Sequence, residues 1–280
     1  MLLAGVLCLP GCSTIKLAYS NAPDLSYWWL DSYLDFNEAQ SLQVRADLAA
    51  LQAWHRAREL PAYVSTLEKL QGLAPANVTS AQVCELYSEL KSHFEHLIDQ
   101  AGLTLTVVAP TLKVEQIEHL GRQLDKRRQK WREEWLDGSP TERQTRRVKQ
   151  WVERTEMFYG QLLEPQLALL RASVAASAFD ASLHLRESGR RHQDTLQTLR
   201  RLQRGSVSAL RAGDEVQALL ARSINSPDAA YRNYQEKMTQ ENCKVFASLH
   251  NNTTPAQRLQ LVKALKNYEA DARTLMAPGR

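Results

Sequence analysis

The chain has 280 residues, of which 44% are hydrophobic and 24% are charged, and it holds only 11 Gly and 10 Pro. This length is enough to bury a sizeable core, and the low Gly and Pro content excludes collagen-like and low-complexity proteins. The 35 Lys and Arg exceed the 31 Asp and Glu by four, an excess too small to indicate a nucleic-acid-binding protein. Beyond the N-terminus no apolar run approaches about 18 residues, so the sequence predicts no transmembrane helix there.

The chain opens with a short apolar segment, MLLAGVLCLP, which is followed by Gly11, Cys12 and Ser13. An apolar run that ends in a small residue is typical of a secretory signal. The segment Leu9-Pro10-Gly11-Cys12 resembles the bacterial lipobox, in which the cysteine is acylated and becomes the first mature residue. We therefore expect residues 1–11 to be a short signal peptide and Cys12 to carry the lipid. Ser13, rather than an acidic residue, follows this cysteine, and this resembles the default sorting of lipoproteins to the outer membrane. A cytosolic protein with an apolar N-terminus is the alternative.

An aromatic cluster, YWWLDSYLDF, follows at residues 27–36. Trp and Tyr favour membrane interfaces, so this segment could lie on the bilayer close to the lipid. The acidic side chains of Asp31 and Asp35 would face an anionic surface unfavourably, and the segment has no Lys or Arg. We therefore expect a first helix that packs its aromatic side chains into the core.

The rest of the chain repeats apolar residues at helical spacing of three and four. The clearest stripes lie in residues 79–98, 117–135, 148–162 and 261–275. Strict alternation is absent, and only Leu103–Val108 (LTLTVV) is ambiguous between helix and strand. The pattern predicts an all-α fold, a multi-helix bundle of antiparallel helical hairpins with long amphipathic helices.

Helix starts are marked by capping boxes, in which the side chains of the N-cap residue and of the third helical residue bond each other's backbone N–H. The pattern occurs at Asn37–Gln40, Thr79–Gln82, Ser139–Glu142 and Thr254–Gln257. Asp180 and Ser226-Pro227 are expected to begin further helices, and Glu164-Pro165 to mark a break. We expect seven to nine helices in one periplasmic domain, 12–280, with shorter pieces in 165–225. A division into subdomains 12–163 and 164–280 is the alternative.

Two cysteines, Cys84 and Cys243, remain once the signal peptide and Cys12 are set aside. In an oxidising periplasm such a pair is expected to form one disulfide. Two buried free thiols are the alternative, because sequence alone does not give the distance between them.

The sequence has no pattern typical of a catalytic or cofactor site. It lacks glycine-rich phosphate loops, a GxSxG elbow, CxxC and HExxH, so we expect neither enzymatic activity nor a cofactor. One candidate metal site is formed by Glu89, His93 and His96, which share a flank of the 79–98 helix and offer ligands suited to Zn²⁺. We expect a solvated helix flank and no metal site at these three residues, and metal binding is the alternative.

Positive charge is concentrated in residues 122–154, where 11 Lys and Arg stand against 6 Asp and Glu. Such a face is suited to another envelope protein or to a polyanion such as the phosphates of lipid A. The alternative is an attraction to acidic parts of the same fold. The residues proposed for this interaction patch are Lys126, Arg127, Arg128, Lys130, Arg132, Arg143, Arg146, Arg147 and Lys149.

The lipobox, the YWWLD segment at 27–31 and the WLDGSP segment at 135–140 together resemble an uncharacterised Gram-negative lipoprotein family that has a domain of unknown function. This resemblance implies a lipid-anchored, all-helical envelope protein and supplies no reaction. A second similarity is to Spy-like periplasmic chaperones, which carry Leu-Thr-x-x-Gln motifs at helix starts. Val78–Gln82, Leu112–Gln116 and Thr253–Gln257 approximate that motif.

These observations predict a non-enzymatic interaction or scaffold protein, anchored by lipid to the periplasmic face of the outer membrane. A Spy-like holdase is the alternative, and it would need an exposed concave apolar surface. A metal-binding or enzymatic module is the third possibility, and it would need a deep pocket with converging polar groups. No nucleic-acid partner is expected.

Overall fold

The computed structural model describes residues 11–205 and 208–277, and this part of the chain forms eleven α-helices, one short 3₁₀-helix and no strands. The 3₁₀-helix is Ala109–Thr111, between α4 and α5. The expected all-α fold is confirmed. The α-helices are α1 (Gly11–Ser20), α2 (Ala22–Leu34), α3 (Glu38–Leu73), α4 (Ser80–Val108), α5 (Val114–Trp135), α6 (Pro140–Tyr159), α7 (Glu164–Ala176), α8 (Ala181–Arg204), α9 (Ala209–Ile224), α10 (Ala229–Asn251) and α11 (Pro255–Met276).

Two clusters of buried apolar side chains hold the helices together. The larger cluster draws on α2–α5, α8 and α9, and it includes Val44, Leu112, Ile117, Leu202 and Val216. The smaller cluster joins α6, α7 and α10 around Leu162, Leu170 and Leu249. Helix α3 packs along α11, and α4 packs against α3, α9 and α10. Both clusters combine residues from before and after residue 163.

Two pairs of helix N-termini are joined by buried glutamine side chains, Gln40 with Gln116 and Gln166 with Gln257. Each glutamine is the third residue of its helix and accepts the backbone N–H of its own N-cap residue at 2.8–3.0 Å. Within each pair the amides bond each other in both directions, at 2.7–3.3 Å. One side chain therefore both caps its own helix and fixes that helix to a neighbour.

Several helix boundaries differ from those predicted. Leu103–Val108 is helical and completes α4, because Gly102 and Val108 are buried against the bundle. Helix α10 begins at Ala229 and not at the predicted Ser226-Pro227. The N-cap residue is Asp228, whose side chain accepts hydrogen bonds from the N–H groups of Ala230 and Tyr231.

The helix count and lengths also differ from expectation. Eleven α-helices in the described residues exceed the seven to nine expected. Helix α8 has 24 residues and is longer than the pieces predicted for 165–225. Its apolar positions contact the larger cluster at Leu199 and Leu202, so tertiary packing stabilises the full length.

The aromatic segment of α2 is only partly buried. Tyr27 is buried, but the side chains of Trp28 and Trp29 are 61% and 53% exposed, so the expectation that this segment packs into the core is wrong for the tryptophans. Leu17 and Leu25 are also exposed nearby in the chain. Tyr27 and Leu30 are three positions apart and lie on the face of α2 that packs against the larger cluster. Trp28 and Trp29 lie between them in the sequence and are on the opposite, exposed face of the helix.

Among the described residues, no helix is both long and apolar enough to cross a membrane. Residues 1–10 of the expected signal peptide lie outside the described residues, as does the side chain of Cys12.

Candidate functional site

An apolar groove in the described part of the chain carries exposed apolar side chains. It has a volume of about 720 Å³ and is formed by α3, α4, α6, α10 and α11, together with Phe179. This volume lies within the range of roughly 300–1,000 Å³ that is usual for ligand sites. Its apolar lining includes Leu73, Leu86, Tyr87, Leu90, Phe158, Met238, Phe246, Leu261 and Leu265.

The groove leaves large apolar side chains in contact with solvent. Tyr87, Leu90 and Phe246 are 49%, 44% and 43% exposed, and Phe94 is exposed one turn further along α4. None of the described residues that line the groove is Asp, Glu, Lys or Arg. Contiguous exposed apolar surface of this kind is uncommon on monomeric proteins, and this makes the groove a candidate interaction site.

A buried Tyr–His pair at one wall of the groove has a structural role. The Tyr159 hydroxyl donates to Nδ1 of His250 at 2.8 Å, and Nε2 of His250 donates to the Ala76 carbonyl at 2.8 Å. Burial lowers the pKa of His250 and raises the pKa of Tyr159 to about 12, so both groups are neutral at pH 7. Because both ring nitrogens are occupied, this histidine has no free nitrogen with which to act as a general base.

A disulfide between Cys84 of α4 and Cys243 of α10 connects two helices of the groove. The two sulfurs lie 2.08 Å apart, and the Cα atoms are 5.4 Å apart. Cys243 is buried and lines the groove. The structure therefore brings together the two cysteines that the sequence offers, which are 159 positions apart.

A second hollow of about 370 Å³ shares Phe179, Met238 and Asn242 with the groove and gives the combined surface a basic end. Its charged lining is Arg147, Arg154, Lys244 and Glu241, an excess of two positive charges. The guanidinium of Arg147 lies 4.5 Å from the ring centre of Phe179 and donates to the Val174 carbonyl, and burial lowers its pKa.

The predicted interaction patch divides into two groups. Five of its members, Lys126, Arg127, Lys130, Arg132 and Lys149, are exposed along α5 and α6. The other four are half-buried, and two of these serve as backbone donors: Arg143 bonds the Leu136 and Gly138 carbonyls at the end of α5, and Arg147 is held as described above. Arg128 and Arg146 are the remaining half-buried members. Only Arg147 of the nine lines the basic end of the groove.

The candidate metal residues are brought together in part. His93 and His96 lie side by side on α4, but Glu89 points to Thr66 and Lys69 of α3. The carboxylate beside the histidines is that of Glu59, also in α3. The sequence argument missed it because Glu59 is 34 residues from His93, and only the packing of α3 on α4 joins them. Elsewhere, Trp135 at the start of the WLDGSP segment packs against Phe179, and Trp131, one turn earlier in α5, stacks on His184.

Most of this chain matches the profile of a known protein family. A profile described as a family of unknown function, DUF6279, matches residues 32–213, about two thirds of the sequence. The chain belongs to this family. A search of curated proteins and a search of solved structures found no match. The family match includes α3–α8 and ends before α10 and α11, so the groove is built from helices inside and outside the matched region.

Sequence reasoning did not locate the groove. Its walls come from five helices that are far apart in the chain, and the residues that line it have the same apolar spacing as core residues. The one local signal is the unbroken apolar face of α4 at Val83, Leu86, Tyr87, Leu90 and Phe94, which exceeds what one neighbouring helix can cover.

Proposed function

We propose that this member of the DUF6279 family is a lipid-anchored, non-enzymatic protein that binds apolar segments of other envelope proteins in the groove. The observation that carries the proposal is an exposed apolar groove with no charged residue among its described lining. The resemblance of residues 9–12 to a lipobox supports attachment through Cys12 to the periplasmic face of the outer membrane.

The basic end favours a particular kind of segment. Arg154 and Lys244 are exposed at this end, and the adjoining groove offers only apolar and neutral polar contacts. A polypeptide with several large apolar side chains and an acidic flank matches both parts of the surface.

The exposed face of α1 and α2 supports a position close to the bilayer. Leu17, Leu25, Trp28 and Trp29 lie exposed within 17 residues of Cys12. Trp side chains favour the interface between lipid and water, where one edge is dry and the other is hydrated. The disulfide is a further feature suited to an oxidising compartment.

Photo-crosslinking in living cells tests the proposal. A photoreactive amino acid is placed at Tyr87 and at Phe246, which face the groove, and at Leu259 of α11 as a matched exposed apolar control outside it. We expect adducts with envelope polypeptides at the two groove positions and none at Leu259, identified by mass spectrometry. Leu90→Asp, which places a charge in the groove, should reduce those adducts at least tenfold.

The other outcomes overturn the proposal in distinct ways. Adducts with lipid alone would make the groove an acyl-chain site. An adduct of twice the mass of the chain would make it a surface for self-association. Equal labelling from Leu259 would show that the groove has no special role.

A Spy-like holdase is a second candidate, and the lack of charge inside the groove favours it. Without charged residues in the lining, the groove would discriminate poorly among apolar segments. A holdase predicts many unrelated adducts that increase under unfolding stress, together with suppressed aggregation of a denatured test protein in vitro. A single dominant adduct would instead assign the groove to one partner.

A further inference from the structure

A buried carboxylate and two imidazoles meet between α3 and α4, outside the groove. Oε2 of Glu59 lies 2.9 Å from Nδ1 of His93, and Oε1 lies 3.4 Å from Nδ1 of His96. His93 follows the groove residue Leu90 by three positions, so the cluster lies about one helical turn beyond the groove.

The surroundings of Glu59 do not provide a permanent positive charge. The residue is only 5% exposed, and among the described residues it forms no ion pair with Lys or Arg. Its ion-pair partners there are the two imidazoles, which are charged only when protonated. A buried carboxylate in such a position is stabilised by a cation, because its own hydration has been removed.

We propose that Glu59, His93 and His96 bind a divalent late transition-metal ion, with Zn²⁺ as the ion to test. Their ligand atoms all lie within 4.8 Å of one another. Ligands about 2.0–2.2 Å from a tetrahedral Zn²⁺ are separated by about 3.3–3.5 Å. The two histidines contact different oxygens of Glu59, at 2.9 and 3.4 Å, which is close to this value. The wider separations in the set, up to 4.8 Å, would have to shorten when the ion binds.

Side-chain mobility and ligand chemistry fit this assignment. The His96 side chain is 57% exposed, so its ring can rotate toward the ion and leaves a solvent-facing position for water. The His93 side chain is 12% exposed, and its ring packs edge-on against Tyr63 with a centroid distance of 4.9 Å. Two nitrogen ligands favour Zn²⁺ and its neighbours over Ca²⁺ and Mg²⁺, which prefer oxygen.

The bound ion would connect α3 directly to α4. Glu89 is engaged by Thr66 and Lys69, so it does not serve as a fourth ligand. The site therefore consists of three protein ligands and an open position. It would hold α3 and α4 together beside the groove, whereas the disulfide joins α4 to α10.

The test measures Zn²⁺ on the full chain, purified in detergent and stripped of metal with a chelator. Isothermal titration with Zn²⁺ should give one ion per chain, and Co²⁺ should give the visible absorption of a four-coordinate site. His96→Ala alters an exposed side chain and Glu59→Gln keeps the shape of its side chain, and each should weaken binding at least tenfold. His119→Ala, a half-buried histidine on α5, is the matched control and should bind as the unaltered chain does.

Two results would overturn the assignment. One is the absence of stoichiometric binding by the unaltered chain, which would leave Glu59 paired with protonated imidazoles alone. The other is unchanged affinity in His96→Ala, which would place the ion elsewhere. Because titration of the purified chain involves no groove partner, the metal site and the proposed groove function can fail separately.

Discussion

The four buried glutamines show how much one side chain contributes at a helix start. Gln166 is 1% exposed, and its amide accepts from the Leu163 N–H while it donates to Gln257 and to the Asn252 carbonyl. If the amide were removed, the Leu163 N–H and the Asn252 carbonyl would lose this partner, and Gln257 would keep only its bonds to Thr254 and Gln161. A buried donor or acceptor without a partner costs about 1–3 kcal/mol.

Replacing Gln166 with Leu should therefore lower the free energy of unfolding by about 2–4 kcal/mol, because it removes the cap and leaves Gln257 without its partner. Urea unfolding followed by circular dichroism measures the loss. Gln82→Leu is the matched control, since Gln82 occupies the same position in its helix but bonds only Thr79. That change should cost about 1 kcal/mol. Equal losses in the two variants would contradict a role for the paired amides.

The difference between Gln82 and Gln166 also marks what residue-level reasoning could predict. A capping box spans four residues, so the boxes that start α3, α4, α6 and α11 follow from the sequence and are confirmed. The amide pairs join residues 76 and 91 positions apart, and no local pattern specifies them. The same reason explains why Glu59 was missed beside His93, whereas Glu89 on the same helix was chosen.

At the scale of helices, the Cys84–Cys243 disulfide is the covalent connection between α4 and α10. It closes a large loop, because the two cysteines are 159 positions apart. In the chain-entropy description, closing such a loop restricts the unfolded chain and stabilises the fold by about 5 kcal/mol. The groove depends on this pair of helices, since both supply its lining.

The double variant Cys84→Ala, Cys243→Ala should lose about 5 kcal/mol of unfolding free energy. The measurement is urea unfolding of the oxidised chain, the reduced chain and the double variant. The reduced chain serves as the control and should resemble the variant, and the oxidised chain should run faster on a non-reducing gel. Coincident unfolding curves for the oxidised and reduced chains would show that the bridge adds nothing to stability.

Helix-level predictions succeeded where local signals were strong. Capping residues and apolar stripes located α4, α5, α6 and α11, although α4 extends further than its stripe suggested. The starts of α7 and α9 were less legible. The N-cap residue of α7 is Leu163, which has no polar side chain and bonds Gln166 only through its backbone. No Ser, Thr, Asp or Asn therefore marks this N-cap position in the sequence. Packing against the larger apolar cluster, which periodicity does not measure, set the length of α8.

At the scale of the whole molecule, the proposed function needs the groove and its basic end to bind a segment, and a lipid on Cys12 to hold the protein at the membrane. Cys12→Ser should release the protein from the membrane fraction and abolish palmitate labelling, because the sulfur that would carry the lipid is gone. Fractionation followed by immunoblotting measures this. The double variant Cys84→Ser, Cys243→Ser is the control, since it also replaces cysteines, here those of the disulfide, but leaves the residue proposed for acylation.

A minor part of the Cys12→Ser protein should stay on the membrane, because the exposed side chains of Trp28 and Trp29 are suited to the lipid–water interface. Adding Trp28→Ser and Trp29→Ser to Cys12→Ser should remove the remaining vesicle binding. Membrane association that persists in the triple variant Cys12→Ser, Trp28→Ser, Trp29→Ser, with palmitate absent, would contradict attachment through this cysteine.

The first helix limits how far such an anchored molecule can reach. Lys16 pairs with the buried Asp271 of α11 at 3.4 Å, and the Tyr19 hydroxyl hydrogen-bonds Nδ1 of His55 in α3, so α1 is already docked on the body a few residues after Cys12. Four helical residues span about 6 Å, far less than the width of the periplasm. With its lipid in the inner leaflet, the protein would search in two dimensions rather than three. Only segments that come within a molecular diameter of the membrane surface, such as those of nascent outer-membrane proteins or neighbouring lipoproteins, would meet the groove.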